Sequence, residues 1–205
     1  MFPVLSRTAR LHAIVIAALA FASVVAWWVH LMDARGTGPL QTLADMTRFF
    51  TILTMALVVI VFADAGFSPT YRSNAALFAA LTLSVVMVGA VYHILLAPLA
   101  NPTGIGRAAD VGLHTLVPIL VFLWWLAHAP KTSLIWADLP AFALWPAVYV
   151  TYALGRGLLD GIYPYPFMDP GVAGPWPVAA MLGTLGGAIL LGGILMIGLG
   201  RFADR

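Results

Sequence analysis

Long apolar stretches separated by short breaks are the main pattern along this chain. A helix needs about 20 apolar residues to cross the hydrocarbon core of a bilayer. Six stretches reach that length, and each predicts one membrane-spanning helix. The predicted spans cover residues 11–32, 42–63, 75–99, 106–129, 139–160 and 175–200. The pattern therefore predicts an all-α fold, a polytopic bundle of six transmembrane helices that forms one domain over residues 1–205.

The breaks and the composition support this prediction. The breaks contain turn-forming segments such as Gly36–Pro39 and Asn101–Gly104, which end helices, and none is long enough for a soluble domain. Of the 205 residues, 62% are hydrophobic and 9% are charged, whereas soluble domains carry about 25% charged residues. Cysteine is absent, which excludes disulfides and thiolate metal sites. The net charge of +2 does not favour a nucleic-acid partner.

The termini and the loop charges predict the localisation. No small-residue cleavage site follows the first apolar segment, so we interpret it as a retained signal anchor. Basic residues concentrate in cytoplasmic loops of membrane proteins. Ten Lys and Arg residues are present, and the side that holds both termini has more of them: Arg7, Arg10, Arg72, Lys131, Arg201 and Arg205. We therefore expect an integral membrane protein with both termini in the cytoplasm.

Polar side chains inside the predicted spans lie at similar depths. Counting 1.5 Å per residue from the predicted span ends places Thr51 about 13 Å, His114 about 12 Å and His93 about 10 Å from one membrane boundary. Arg156 lies near the same boundary on the fifth span. Because polar groups in a bilayer are costly, their convergence from four helices predicts a functional site.

Helical spacing adds detail to this site. Asp110 and His114 are four residues apart and share one face of the fourth span, so the carboxylate is placed to orient the imidazole. Thr51 and Thr54 share a face of the second span, and Arg48 lies one turn before Thr51.

Each of these residues also has a purely structural interpretation. The fifth span carries a polar stripe that includes Tyr152 and Arg156. Tyrosine and arginine near span ends commonly anchor a helix at the membrane interface. A threonine in a membrane helix commonly bonds the carbonyl four residues back, and a histidine can join two helices by a hydrogen bond. The pattern alone leaves both interpretations open.

Three short segments carry a family resemblance. They are RFFTILT at residues 48–54, DVGLHTLVP at 110–118 and YPYPFMD at 163–169. In this order and spacing they resemble the androgen-induced-gene family of six-span membrane proteins, including its bacterial branch. The resemblance extends over most of the chain, and the bacterial branch of the family implies a location in a bacterial inner membrane.

This resemblance implies an activity. Animal members of the family are threonine hydrolases that cleave fatty acid esters of hydroxy fatty acids with an intramembrane threonine and histidine. Thr51 matches the threonine and His114 the histidine. The resemblance therefore implies a lipid esterase without a metal or other cofactor, in which a threonine is the nucleophile and a histidine is the base. We expect supporting roles for Asp110 as the orienting acid, for the nearby Thr54 and His93, and for Tyr152 on the fifth span.

The chain also departs from the animal sequences. Thr54 stands where those sequences carry an acid, and Asp110 replaces an amide, which either restores an orienting acid or changes the reaction. The group that stabilises the oxyanion stays open between Arg48, Arg156 and a backbone amide.

Two other functions stay open. A haem-binding electron carrier would use His93 and His114 as ligands of one haem. A small transporter or lipid-binding protein would use intramembrane Arg and Asp residues as a substrate path. The expected partners are membrane lipids and, for an esterase, a lipid ester from the bilayer. Glycines such as Gly183 and Gly187 on the sixth span indicate close helix packing or a homodimer.

Overall fold

The computed structural model describes residues 4–68 and 74–202. Within these residues the regular backbone is helical and forms no sheet, which confirms the predicted all-α fold. Arg72 and Arg205, which contribute to the orientation prediction, lie outside the described residues. The chain divides into two compact units, Met1–Pro130 and Lys131–Arg205.

Over residues 4–68 and 74–130, the first unit contains six α-helices and two π-helical turns. The π turns are Tyr92–Leu96, which continues α4, and Gly112–Leu116, which joins α5 to α6. The helices are α1 (Arg7–Arg35), α2 (Pro39–Met46), α3 (Phe50–Phe67), α4 (Ala75–Val91), α5 (Gly104–Val111) and α6 (Val117–His128).

In the described residues, the second unit contains two long α-helices and one short α-helix between them. The helices are α7 (Leu139–Asp160), α8 (Pro170–Ala173) and α9 (Pro175–Phe202). Gly193 of α9 lets this helix approach α7, because a Cβ atom at this position would lie 3.0 Å from Leu139 and 3.1 Å from Phe142.

Five segments of the described chain are long and apolar enough to cross a membrane. They are Arg7–Arg35, Phe50–Phe67, Ala75–Leu99, Gly104–His128 and Pro175–Arg201. These segments are those of an integral membrane protein. The helix predicted at residues 139–160 is present as α7, but α7 does not belong to this group of five. A single domain with six spans therefore stays a prediction.

The second predicted span differs from the structure. The helix expected at residues 42–63 is interrupted, because α2 ends at Met46 and α3 begins at Phe50. Short-range backbone hydrogen bonds close the turn between α2 and α3. The Thr47 hydroxyl also donates a hydrogen bond to the Ala44 carbonyl at 2.7 Å. Phe49 is extended, with φ −92° and ψ 132°. Consequently, the depth counted from residue 42 does not apply to Thr51.

A buried tryptophan joins four helices of the first unit. Trp124 of α6 packs against Phe62 of α3 and Phe78 of α4, with ring centroids 5.0 and 4.7 Å apart. Its indole N–H donates to the Ala9 carbonyl of α1 at 2.9 Å. Because this hydrogen bond is made in an apolar interior, it fixes the position of α6 along α1.

The ends of α1 and α3 approach each other through a glycine. A Cβ atom at Gly66 would lie 3.1 Å from the Arg10 carbonyl oxygen and 3.2 Å from the Ile14 nitrogen. The Arg10 guanidinium in turn donates to the Gly66 carbonyl at 3.1 Å. Backbone atoms cannot move aside as a flexible side chain can, so only glycine fits here.

Gly66→Ala should therefore lower the unfolding free energy by about 1–3 kcal/mol, the usual cost of overpacking. Gly183→Ala is the control, because a Cβ atom at this α9 position meets nothing within 4 Å and alanine favours helix. Equilibrium unfolding in detergent measures both. Equal stability of the two variants would show that α1 and α3 can separate without cost.

Candidate active site

The site lies where the two π turns meet. π turns are rare and occur frequently at functional sites. One turn contains His93 and the other contains His114. Gly89, on the last turn of α4, permits the approach, because a Cβ atom there would lie 3.1 Å from the His114 carbonyl oxygen. This contact brings the third and fourth apolar segments together at the level of both histidines.

Thr51 lies in the first turn of α3 and is 8% exposed. Its hydroxyl is 3.4 Å from Nε2 of His114. Other helix hydroxyls, such as those of Ser23 and Ser84, donate to the carbonyl four residues back. The residue four positions before Thr51 is Thr47, which precedes α3. The break before α3 therefore directs the Thr51 hydroxyl to a histidine instead of a helix carbonyl.

Asp110 orients the imidazole of His114. Nδ1 of His114 lies 2.9 Å from the carboxylate oxygen Oδ1 and 3.2 Å from the Asp110 carbonyl oxygen. Both side chains are 12% exposed. A proton on Nδ1 satisfies Asp110 and leaves Nε2 as an acceptor that faces Thr51. The structure thus has the expected contact between Asp110 and His114.

Tyr92 contacts both Asp110 and His114. Its hydroxyl donates to the second carboxylate oxygen of Asp110, Oδ2, at 2.5 Å. Its ring stacks on His114, with centroids 3.8 Å apart and planes 6° from parallel. Each carboxylate oxygen consequently has a hydrogen-bond partner, which a buried charge requires.

A second threonine–histidine pair lies beside the first. Nε2 of His93 is 3.0 Å from the hydroxyl of Thr115, the residue after His114. The His93 ring meets Tyr92 edge to face, with centroids 5.1 Å apart. Tyr92 is therefore in contact with both histidines.

The remaining predicted residues lie elsewhere along the chain. Arg48 is in the turn between α2 and α3, and Thr54 is fully buried one turn beyond Thr51. In the second unit, Arg156 donates to the Tyr152 hydroxyl at 2.7 Å and lies 3.9 Å from Asp160. The functional roles of these residues stay predictions.

Tyr92 and Thr115 were missed by the sequence analysis. Tyr92 precedes His93 and Thr115 follows His114 in the sequence. Both therefore lie at nearly the same predicted depth as the histidine next to them. Adjacent helical residues point in different directions, so the spacing alone did not include them in the site. The contact of Tyr92 with Asp110 spans 18 residues and depends on tertiary packing.

The described residues form no group of three His, Cys, Asp or Glu side chains that could hold a metal ion. Both ring nitrogens of His114 have partners in the protein, one at Asp110 and one at Thr51. This arrangement suits a base that exchanges a proton with Thr51 better than an axial haem ligand. Comparisons of the chain with family models, curated proteins and solved structures find no match.

Tyr92→Phe should lower the unfolding free energy by about 1.5–3 kcal/mol, because the variant keeps the stacked ring but removes a hydrogen bond to a charged group. The loss should be smaller in an Asp110→Asn background, where the charged acceptor is gone. Unfolding in detergent of the four proteins of this double-mutant cycle measures the coupling. The same loss in both backgrounds would mean that the hydroxyl stabilises the fold independently of Asp110.

Proposed function

We propose that the protein is an intramembrane lipid esterase with Thr51 as the nucleophile and His114 as the general base. One observation carries the proposal, namely the hydrogen-bonding chain that runs from the Thr51 hydroxyl through His114 to the Asp110 carboxylate. A nucleophile, a base and an orienting acid in this order have the geometry by which hydrolytic triads are recognised. The distance from Thr51 to His114 is long for a hydrogen bond, and such bonds commonly tighten when substrate binds.

Acylation would begin with the transfer of the Thr51 hydroxyl proton to Nε2 of His114. The Thr51 oxygen, Oγ1, attacks the ester carbonyl carbon and forms a tetrahedral oxyanion. When this intermediate collapses, the bond from carbon to the alkoxy oxygen breaks. His114 then gives its proton to the departing alcohol, and the acyl group stays on Thr51. Asp110 stabilises the imidazolium that exists between the two proton transfers.

Deacylation would use the same groups with water as the nucleophile. His114 takes a proton from water while the hydroxide oxygen bonds to the acyl carbon. The second oxyanion collapses, the bond to Oγ1 breaks, and His114 returns the proton to Thr51. The products are a carboxylic acid and an alcohol, and the enzyme is restored.

The start of α3 offers donors for the oxyanion. Helix N-termini present backbone N–H groups without intrahelical partners. Phe49, the residue before α3, supplies no side-chain cap. The N–H groups of Thr51 and Ile52 belong to this first turn and lie beside the nucleophile. The positive end of the helix dipole also favours the developing negative charge. We therefore favour backbone amides over Arg156 as oxyanion donors.

The surroundings indicate a lipid substrate. Thr51 and His114 belong to segments that are apolar enough to span a bilayer, so long acyl chains would reach them laterally from lipid. The family resemblance points to fatty acid esters of hydroxy fatty acids, which carry a free carboxylate. Arg48, in the turn three residues before Thr51, is the proposed partner of that carboxylate. In the proposed setting the protein lies in a bacterial inner membrane with both termini in the cytoplasm.

A fluorophosphonate probe tests whether the threonine is activated. Purified protein in detergent should react covalently with the probe, and Thr51→Ala and His114→Ala should each abolish the reaction while the fold is retained. Removal of either residue should lower kcat for a long-chain ester by more than about 10³-fold, because members of a triad act as a unit.

Ser84→Ala is the matched control for this experiment. Ser84 is a buried hydroxyl on α4 that donates to the Ala80 carbonyl, so its removal should leave labelling unchanged. Labelling that persists in Thr51→Ala, or ester hydrolysis at the wild-type rate in either catalytic variant, would refute the assignment.

Asp110→Asn tests the orienting role separately. The amide can donate to His114 and thereby favour the tautomer with the proton on Nε2, which cannot accept from Thr51. We expect kcat to fall on the order of 10⁴-fold, as for the equivalent change in serine hydrolases. The rate of hydrolysis is measured in single-turnover reactions, in which mass spectrometry follows the formation of the product. An unchanged kcat would remove Asp110 from the mechanism.

A further inference from the structure

A second pair of histidines lies at the other end of the first unit. His12 of α1 and His128 of α6 are within hydrogen-bond distance, with 3.0 Å between Nδ1 of His12 and Nε2 of His128. Their ring centroids are 5.2 Å apart. His128 is 14 residues beyond His114, which corresponds to about 21 Å along a helical chain. The pair is therefore separate from the candidate active site.

The packing of α1 against α6 fixes the two histidines in place. Trp124 lies one turn before His128, and its indole donates to the carbonyl of Ala9, which lies one turn before His12. The Trp124 ring also lies 5.7 Å from the His128 ring. Both imidazoles thus extend from backbone positions that a buried hydrogen bond holds together. Such rigid placement lowers the entropic cost of binding a ligand between them.

The separation of the two nitrogens matches that of two ligands on one metal ion. With metal–nitrogen bonds of about 2.0–2.1 Å and ligand angles between square and tetrahedral, two cis nitrogens lie about 2.8–3.4 Å apart. The observed 3.0 Å falls in this range. A small rotation of the rings would direct both lone pairs at a common point. Imidazole is a preferred ligand for Cu²⁺, Ni²⁺ and Zn²⁺.

We propose that His12 and His128 form a two-histidine binding site for a divalent transition-metal ion, with Cu²⁺ bound most tightly of the three. The order follows the general preference of nitrogen ligands for Cu²⁺. His12 is exposed and His128 is partly exposed, so water can complete the coordination. Within the described residues no third His, Cys, Asp or Glu joins the pair. The site is therefore an exchangeable clamp between α1 and α6 that takes no part in hydrolysis.

Electron paramagnetic resonance with equimolar Cu²⁺ tests the site directly. Protein purified without a polyhistidine tag should show hyperfine splitting from two equatorial imidazole nitrogens. His12→Asn and His128→Asn should each lose this two-nitrogen signal. His30→Asn is the matched control, because His30 lies on α1 and packs on Trp27 away from the pair, and it should keep the signal.

Thermal unfolding in detergent provides a second measurement. A ligand that binds only the folded state raises the unfolding midpoint, so Zn²⁺ and Ni²⁺ should raise the midpoint of wild type and of His30→Asn. The increase in the unfolding midpoint should vanish in His12→Asn and in His128→Asn, because a single imidazole binds these ions weakly.

The wild-type spectrum alone can overturn the proposal, even if a variant fails to fold. A Cu²⁺ spectrum with fewer than two imidazole nitrogens would exclude the site. A two-nitrogen signal, or a metal-dependent increase in midpoint, that survives in folded His12→Asn would place the metal elsewhere. Neither measurement depends on hydrolysis, so the esterase proposal and this one can fail independently.

Discussion

The first unit depends on the burial of one carboxylate. Asp110 lies within a segment that is apolar enough to span a bilayer, where an unpaired charge would be very costly. Tyr92 and His114 provide the partners, one for each carboxylate oxygen. These contacts require the third and fourth apolar segments to lie in register at their π turns. The lack of a side chain at Gly89 permits that approach, so the fold and the site have one physical origin.

The break between α2 and α3 is the second constraint on the site. A threonine in the middle of a helix can donate to its own backbone and then has little reason to meet a histidine. Thr51 lies two residues after Phe49, which is not helical. Its side chain therefore points back towards the start of the helix. The same break starts α3 at Phe50, so the first-turn N–H groups lie beside Thr51. The proposed nucleophile and the proposed oxyanion donors therefore arise from one feature of the chain.

Hydropathy and helical spacing predicted the helices well and the site in part. Long apolar segments must be helical in a bilayer because every backbone polar group needs an internal partner, and five such segments are helical in the described chain. The predicted bounds of 139–160 also match α7. The contact between Asp110 and His114 follows from their spacing of four residues. The break at Phe49 was not predicted, because residues 42–63 contain no glycine or proline that would mark the end of a helix. Tyr92 was missed because its contacts depend on how two helices pack.

The two histidine pairs show how surroundings decide the chemistry of one side chain. His114 and His128 belong to the same span, yet His114 is enclosed by a carboxylate, a tyrosine ring and a threonine. With a proton on Nδ1 held by Asp110 and the Nε2 lone pair directed at Thr51, His114 is placed for proton exchange more than for metal binding. His128 faces another imidazole near the end of its helix, where water is accessible. This pair holds two ring nitrogens 3.0 Å apart, which is the spacing of two ligands on one metal ion.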